Sequence, residues 1–221
     1  MNPDDYHLVD LTLVIVPDTG ERPVHIEQVP APDAVPGGSW YVMHKVEMHL
    51  NHVGTHIEAP YHVCQEGKDV SSVPLESLCG DAVVLDLTFV KAGGVVELED
   101  VQRAAEVAGG VRRGDIVLAR FDYDGSAENG RSFAPEAITY LVDAGMKLMG
   151  VDLLGISSPR SDPRRAQQHN HHQLLDRDIC LIERVANLDQ LTKSRVLVFA
   201  FPYPIQGLDS FPLRVVALEE L

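Results

Sequence analysis

Three imidazoles and one carboxylate lie within eleven consecutive residues, which read His52-Val53-Gly54-Thr55-His56-Ile57-Glu58-Ala59-Pro60-Tyr61-His62. Neutral imidazole nitrogens and carboxylate oxygens are the donors that borderline and hard divalent cations bind, at about 2.0 to 2.2 Å from the ion. The alternative is a histidine-rich surface loop. The ordered set of both donor types favours a metal site in this segment.

The spacing of these residues indicates an extended or looped backbone. His52 and His56 are four residues apart, as in the helical His-Glu-x-x-His zinc motif, but the β-branched residues, glycine and proline around them oppose a helix. In an extended strand His56, Glu58 and His62 share one face, with the first two roughly 6 to 7 Å apart at the backbone. His52 would lie about 13 Å from His56 along a straight strand. We therefore expect the chain to bend between them, which Gly54 permits.

A second histidine cluster lies far along the chain. Of ten histidines, five fall between His44 and His62, and three more are His169, His171 and His172. The segment from His171 onward predicts a short amphipathic helix followed by an apolar strand that ends in Glu183. A charge at the end of a buried strand requires a partner. The alternative is a salt-bridged Glu183 beside a solvated histidine patch.

With these residues the chain resembles the metal-dependent hydrolases of the kynurenine formamidase, isatin hydrolase and cyclase group. The motif of that family is His-x-Gly-Thr-His-x-Asp-x-Pro-x-His, and the chain matches it in register with Glu58 in place of the aspartate. Gly150-Val151-Asp152 and the run from 171 to 183 are similar to the family's second metal-binding segment. Length and order of segments agree across nearly the whole chain.

The resemblance implies a role for six residues. The positions that match His52, His56 and Glu58 bind one metal ion in the family, those that match His171 and Glu183 complete a second site, and the position that matches His62 transfers protons. His169 and His172 remain alternatives to His171. Because glutamate is one methylene longer than aspartate, one or two ions per chain remain open, as does the choice between zinc and manganese.

The donor set fits hydrolysis of an amide or lactam, and together with the resemblance it predicts a small amide, formamide or lactam as the substrate. A divalent ion lowers the pKa of a bound water and polarises a carbonyl oxygen. His62 is then expected to act as general base and acid, taking a proton from water and returning it to the leaving amine. One alternative is a cyclase or dehydratase that uses the ion as a Lewis acid. Another is a non-catalytic metal-binding protein whose histidines fasten the fold.

An aromatic wall for the substrate is not evident near the N-terminus. In the family, a tryptophan that covers the substrate ring follows an Asp-Leu-Ser/Thr segment. Here Asp10-Leu11-Thr12 is present, but no tryptophan follows it between Pro17 and Pro23. Trp40 and Tyr41 are the alternative wall, or they are simple packing residues.

The composition is typical of one globular domain spanning residues 1–221, because 45% of the residues are hydrophobic and no low-complexity tract occurs. No signal peptide or membrane-spanning segment is predicted, which favours a cytoplasmic protein. The three cysteines, Cys64, Cys79 and Cys180, lack zinc-type spacing and are expected to be reduced. We expect Cys64 to be buried filler rather than a nucleophile.

The net charge of −15 argues against a nucleic-acid partner. We expect a small-molecule substrate and, from the resemblance, a homodimer or higher homo-oligomer. The basic patch of Arg160, Arg164 and Arg165 is either a contact for an anion or another subunit, or a solvated loop that balances nearby acids.

Short apolar runs alternate with helical segments and predict an α/β fold. The expected strands are Ala82–Leu87, Ile116–Ala119, Leu148–Val151, Ile179–Ile182 and Val196–Ala200, and the expected helices run from Glu97 to Ala108 and from Pro135 to Ala144. This order predicts parallel crossover units in a mixed sheet with helices outside. The first sixty residues are expected to form an additional β layer that carries the motif. The run from Val29 to Ser39 is predicted to be a long loop, either a lid or interface arm or a disordered segment. The family resemblance implies a swivelling β/β/α domain.

Overall fold

The computed structural model describes residues 5–33, 40–126 and 130–221. These residues form twelve strands and three α-helices. The strands are β1 (Tyr6–Asp10), β2 (Val24–Val29), β3 (Met43–Met48), β4 (His56–Glu58), β5 (Cys79–Asp86), β6 (Val95–Val96), β7 (Ile116–Arg120), β8 (Ser132–Phe133), β9 (Leu148–Val151), β10 (Cys180–Glu183), β11 (Arg195–Pro202) and β12 (Ser210–Glu220). The α-helices are α1 (Leu98–Val107), α2 (Pro135–Ala144) and α3 (His169–Leu175). Short 3₁₀ helices lie at Pro60–His62, Val70–Ser72, Leu75–Ser77, Pro163–Gln167 and Leu188–Gln190.

Eight strands form one mixed sheet in the order β1-β12-β11-β5-β7-β9-β10-β4, and a further pairing of β12 with β4 closes seven of them into a barrel-like ring. The neighbours β5, β7, β9 and β10 pair in parallel. The other pairings of this sheet are antiparallel, and β1 pairs only with β12, outside the ring. This is the mixed α/β architecture that the sequence predicted.

Alternation along the parallel strands divides the buried side chains into two cores. In β7, for example, Ile116 and Leu118 pack with residues of β11 and β12, whereas Val117 and Ala119 pack with residues of the helices. Strands buried on both faces need apolar residues at every position, which explains the continuous apolar runs in the sequence. The helices therefore cover the outer face of the parallel strands, as predicted.

Local signals fix the ends of the two longer helices. α1 begins with a capping box, in which the side chains of Glu97 and Asp100 each accept from the other's backbone N–H. α2 begins at Pro135 and ends at Gly145, whose φ of 87° is the left-handed conformation typical of a helix C-cap. Both helices lie where the sequence predicted them.

The structure corrects the prediction for the first sixty residues. The motif does not lie in an additional β layer, because β4 belongs to the closed ring itself, between β10 and β12. The strands β2 and β3 instead form a separate two-stranded sheet. Three-residue β4 completes its ladder with partners from the far end of the chain, a pairing that local periodicity does not reveal.

The predicted loop from Val29 to Ser39 is only partly described. Val29 ends β2, and residues 34–39 lie outside the described residues. Among the helices that the structure describes, none has both the length and the apolar character needed to cross a membrane.

Candidate metal centre

The pairing of β4 with β10 brings the two halves of the centre together. Register places Glu183 directly opposite His56, and opposite residues of an antiparallel pair point to the same face. Between His56 and Glu58, Ile57 points to the other face and packs into the core inside the ring. His56, Glu58 and Glu183 therefore share the outer face of the ring, and all three are buried.

The predicted bend between His52 and His56 is present. Gly54 has a φ of 60°, a left-handed conformation that residues with a Cβ rarely adopt, and the ring centroids of the two histidines lie 5.2 Å apart. Nε2 of His52 consequently lies 3.5 Å from Oε1 of Glu58. The bend, rather than a longer strand, brings the first histidine to the centre.

Helix α3 supplies a third imidazole. Nε2 of His171 lies 3.5 Å from Oε2 of Glu58 and 3.7 Å from Oε1 of Glu183. The ring of His172 points elsewhere, since its Nδ1 lies 3.1 Å from the carboxylate of Asp176. Of the three histidines in this cluster, His171 is the one that the structure brings beside both glutamates.

The donor atoms fall into two triads that share Glu58. One is His52, His56 and Glu58, and the other is Glu58, His171 and Glu183. Two donors that bind one ion at about 2.0 to 2.2 Å can be at most about 4.4 Å apart. The separations of 3.5, 3.5 and 3.7 Å that involve His52 and His171 meet this limit, and so does the 4.0 Å between Nε2 of His56 and Oε1 of Glu58. The cluster could therefore hold a metal ion.

Unpaired atoms at the cluster fit such an ion. Nδ1 of His56 donates to the carbonyl of Gly54 at 2.9 Å, which leaves Nε2 as a lone-pair donor, and Nε2 is buried without a hydrogen-bond partner. Oε2 of Glu58 is also buried without one. Metal-binding histidines usually donate their second ring N–H to a carbonyl or carboxylate in this way. His52 follows the same pattern, because its Nδ1 hydrogen-bonds to Oδ1 of Asn51 at 3.0 Å.

The electrostatics point in the same direction. Burial, together with the neighbouring carboxylate of Glu183, raises the pKa of Glu58 to about 7. Burial also opposes ionisation of Glu183, but the imidazoles of His171 and His56 hold its pKa below the usual value. Burial, followed by the nearby imidazole of His56, lowers the pKa of His52 to about 4. Two carboxylates buried this close together are costly unless a cation joins them.

His62 lies beside the centre, although not on a strand. The structure corrects the prediction of a shared strand face, because β4 ends at Glu58 and Pro60 begins a 3₁₀ helix that contains His62. This turn nevertheless places Nε2 of His62 3.7 Å from Oε1 of Glu58. Nδ1 of His62 hydrogen-bonds to Oδ2 of Asp209 at 2.8 Å.

Asp209 and Asn51 are site residues that the sequence did not reveal. Asn51 donates from Nδ2 to Oδ1 of Asp209 at 2.6 Å and to the carbonyl of Ser210 at 2.9 Å, so it holds the carboxylate in place. Asp209 precedes β12 and meets His62 only because β12 pairs with β4. Asp209 also forms a possible donor triad with His52 and His62.

A cavity of about 590 Å³ opens beside the centre, and His56 and Glu183 lie in its wall. Its lining also contains a group of aliphatic side chains, which we call the aliphatic wall: Leu13, Val14, Ile15, Val16, Val53 and Leu154. Neither Trp40 nor Tyr41 lies among its described lining residues, and Trp40 is 89% exposed. Within the single chain, Trp40 therefore neither packs into the protein nor lines this cavity. The volume is in the usual range for small-molecule sites.

The remaining candidates lie away from the centre. Arg164 pairs with Asp162 at 2.7 Å and Glu136 at 3.0 Å, so at this residue the basic patch balances nearby acids. All three cysteines are free thiols. Burial raises the pKa of Cys180 to about 12, which keeps it protonated, while Cys64 is only half-buried.

The chain is similar to several known proteins. A family model described as "Putative cyclase" matches residues 9–158. A kynurenine formamidase from Geobacillus thermodenitrificans (strain NG80-2) is 34% identical over 167 residues, which cover 74% of each chain. Isatin hydrolase A from Labrenzia aggregata, in a structure with benzyl benzoate, superposes with a TM-score of 0.84 at 24% identity, covering 99% of this chain and 95% of that one. A predicted metal-dependent hydrolase from Bacillus stearothermophilus superposes with a TM-score of 0.74 at 24% identity, covering 96% and 98%. The extent of the family match and the identity to the formamidase show that this chain belongs to the cyclase family.

Proposed function

We propose that the protein is a metal-dependent hydrolase that cleaves the C–N bond of a small amide, formamide or lactam. The observation that carries the proposal is the pair of donor triads sharing Glu58, with Nε2 of His56 and Oε2 of Glu58 buried and unpaired beside an open cavity. The formamidase relative supports the same class of reaction, because a formamidase hydrolyses an amide bond.

The proposed metal ligands are His52, His56, Glu58, His171 and Glu183. A divalent cation held by them supplies Lewis acidity, which polarises a carbonyl oxygen and makes water a better nucleophile near neutral pH. The shared Glu58 allows one or two ions per chain. Mixed imidazole and carboxylate donors suit both zinc and manganese, and we propose one of these.

His62 is the proposed general base and acid. The hydrogen bond from Nδ1 to Asp209 fixes the ring so that Nε2 carries the lone pair on the side of Glu58. Nε2 is then able to take a proton from the attacking water and give it to the amine as the C–N bond breaks. Asp209, held by Asn51, acts as a positioning residue for this ring.

Two other functions are distinguished by the products and by the open cavity. A cyclase or dehydratase would use the same centre but would leave the C–N bond intact. A purely structural metal site would be closed by protein donors, whereas His56 and Glu183 line a cavity of about 590 Å³. The cavity favours an enzyme.

The test is a hydrolysis screen with metal-stripped protein reconstituted with zinc or manganese. The substrates are formanilides, isatin-type lactams and simple cyclic amides, and the products are an amine and a carboxylate. We expect at least one class to be hydrolysed only after a metal is restored. Conversion without release or unmasking of an amine would identify the cyclase or dehydratase instead, and metal binding without any turnover of these substrates would contradict the hydrolase.

The same proposal includes a homodimer or higher homo-oligomer of a single-domain cytoplasmic protein, with a small-molecule substrate and without a nucleic-acid partner. The β2–β3 sheet supports assembly, because opposite residues Ile26 and Val46 are 46% and 58% exposed. Isolated two-stranded sheets are marginally stable and gain from a covering surface. Sedimentation velocity measures the assembly, and a monomer at micromolar concentration would contradict it.

A further inference from the structure

Arg184 directly follows Glu183, and its partly buried side chain lines the same cavity as the candidate metal centre. Arg120, Arg195 and Arg214 each pair with an aspartate, at 2.6, 2.6 and 2.7 Å. Arg22 and Arg184 are the arginines in the described lining of the cavity, and across residues 5–33, 40–126 and 130–221 neither forms an ion pair with a carboxylate. A guanidinium group has five N–H donors, and in a partly buried position these donors favour an anionic acceptor.

The backbone of Arg184 is held in an uncommon conformation. Its φ of 57° lies in the left-handed region, which is rare for arginine and concentrates at functional sites. Its N–H donates to the carbonyl of Leu153 at 2.9 Å, and its carbonyl accepts from Oγ1 of Thr55 at 2.6 Å. The same Oγ1 accepts from the backbone N–H of Leu13, at one end of the aliphatic wall. The hydroxyl group of Thr55, the residue before His56, thus fixes the backbone of Arg184 relative to the aliphatic wall.

The charge of the cavity away from the metal centre is positive. Arg22 and Arg184 line it together with one acid, Glu21, while Glu183 belongs to the centre itself. Arg22 is already engaged, because its Nη1 donates to the carbonyl of His52 at 2.8 Å. A protein with a net charge of −15 repels anions overall, so a local guanidinium is needed to retain one.

We infer that this cavity selects an anionic, aliphatic substrate. The guanidinium of Arg184 binds a carboxylate group of the substrate, the aliphatic wall contacts its hydrocarbon part, and its scissile carbonyl faces His56 and Glu183. This inference rests on the proposed hydrolysis of amides and specifies the substrate class. An N-formyl derivative of an aliphatic amino acid has all three features. Its hydrolysis adds water across the C–N bond and releases formate and the free amine.

Binding to metal-free protein tests the role of Arg184 without any turnover. The probes are 4-methylpentanoate and its uncharged twin 4-methylpentanamide, measured by NMR titration. We expect the carboxylate to bind at least tenfold more tightly than the amide, because hydrogen bonds to charged groups are the stronger class. Arg184→Gln should remove this preference, and Arg184→Lys should retain part of it, since lysine keeps the charge but not the planar fork.

Turnover provides a second, independent readout. Reconstituted enzyme is compared on N-formyl-leucine and N-formyl-leucinamide, with formate release as the signal. We expect the ratio of kcat/KM for the anion over the amide to fall about tenfold or more in Arg184→Gln, mainly through KM. Arg112→Gln is the matched control, because Arg112 is exposed and precedes β7, at the opposite end of the parallel strands.

The outcomes separate this inference from the proposed function. Equal affinity for the two probes, unchanged in Arg184→Gln, would overturn the role of Arg184. Formate released equally fast from both substrates would also overturn it, while leaving the hydrolase intact. Absence of formate from either substrate, with an anion preference that Arg184→Gln removes, would support anion binding and contradict formamide hydrolysis.

Discussion

Two buried regions of the same closed sheet differ in the neighbours that surround their buried side chains. Around β7, residues such as Leu118 have an exposure of 0% and belong to a cluster of buried apolar side chains. Around β4, His56 is 1% exposed and Glu58 is 3% exposed, and their neighbours are further imidazoles and carboxylates. The first region, which we call the ring core, is complete as folded. The second, the candidate metal centre, leaves buried donor atoms without a hydrogen bond.

The contrast shows how stability and function are divided. Burial of apolar surface stabilises the ring by about 25 cal/mol for each Å² removed from water. Burial of the carboxylates of Glu58 and Glu183 opposes folding, because the neighbouring imidazoles replace only part of the hydration that they lose. Apolar burial in the rest of the ring therefore offsets the free-energy cost of the buried carboxylates in the metal centre. Variants in the ring core should accordingly lower the free energy of unfolding, whereas variants in the metal centre should lower metal content or the rate of hydrolysis.

The largest expected effect is that of Glu58→Gln. The amide keeps the shape of the side chain but removes the charge shared by both donor triads. We expect bound metal to fall to a small fraction of the wild-type amount and hydrolysis to fall to the uncatalysed background, because hard cations require the anionic oxygen. Metal content after dialysis and the rate on the best substrate of the screen measure this.

The control for this variant is Glu66→Gln, at an exposed carboxylate in the same part of the chain. It should change neither metal content nor rate. A Glu58→Gln protein that retains a full complement of metal would show that the two triads are not bridged by this residue.

His62→Ala should have the next largest effect and should separate proton transfer from metal binding. We expect kcat to fall by roughly 10² to 10⁴, as for removal of a general base, with metal content unchanged. Asp209→Asn should cost less, roughly 10- to 100-fold, because it disturbs only the orientation of the ring. The control His172→Ala alters a ring that pairs with Asp176 instead. Loss of metal from His62→Ala would assign His62 to the triad with His52 and Asp209.

Leu118→Ala is expected to lower stability without lowering metal content, which is the opposite of the effect expected for Glu58→Gln. Removal of a fully buried side chain leaves a cavity in the ring core and should lower the free energy of unfolding by about 2 to 5 kcal/mol. The metal content of the folded protein should be unchanged. Urea unfolding measures the loss, with Leu75→Ala, at a residue that is 64% exposed, as a control within about 0.5 kcal/mol of wild type. A loss of metal from folded Leu118→Ala as large as that from Glu58→Gln would show that the two regions are not separable.

The sequence predicted the ring core more completely than the metal centre. Leu148–Val151 and Pro135–Ala144 were predicted with the observed bounds, because periodicity, an initial proline and a terminal glycine are local signals. The position of β4 inside the ring depends on pairing with β10 and β12, at large sequence separations. No local pattern encodes such a pairing.

The same distinction applies within the centre. The sequence indicated the candidate donors that lie within one short motif, and the family resemblance added His171 and Glu183, which the structure brings beside them. Asp209 was missed because its contact with His62 spans 147 positions and no spacing rule connects them. Pro60 is a local signal for the 3₁₀ turn, since proline commonly begins a helix. The strand alternation that predicted a shared face for His62 does not continue past this proline.

The smallest predicted effect concerns Asp152, which lies in the segment similar to the family's second metal-binding segment but belongs to none of the donor groups that the described residues form. Asp152 follows β9, and its Oδ2 accepts from the backbone N–H groups of Phe121 at 2.8 Å and Tyr123 at 3.4 Å. Its Oδ1 is buried without a hydrogen-bond partner. Burial raises the pKa of Asp152 to about 6, despite the opposing hydrogen bonds from Phe121 and Tyr123.

The raised pKa of Asp152 makes the stability of the protein fall as pH rises. The unfolded chain releases the Asp152 proton near pH 4, whereas the folded chain holds it until about pH 6, so the cost of ionising the buried group appears between these values and persists above them. Asp152→Asn keeps an acceptor for both N–H groups and removes the charge. Relative to wild type, the variant should therefore gain stability as pH rises from 4 to 7, by on the order of 2 kcal/mol. Urea unfolding of the metal-free proteins across this range gives the difference, in which the other titrating groups cancel. Asp143→Asn, at an exposed position of α2, should show no such trend, and a pH-independent difference for Asp152→Asn would mean that the carboxyl group is as well solvated in the folded protein as in the unfolded chain.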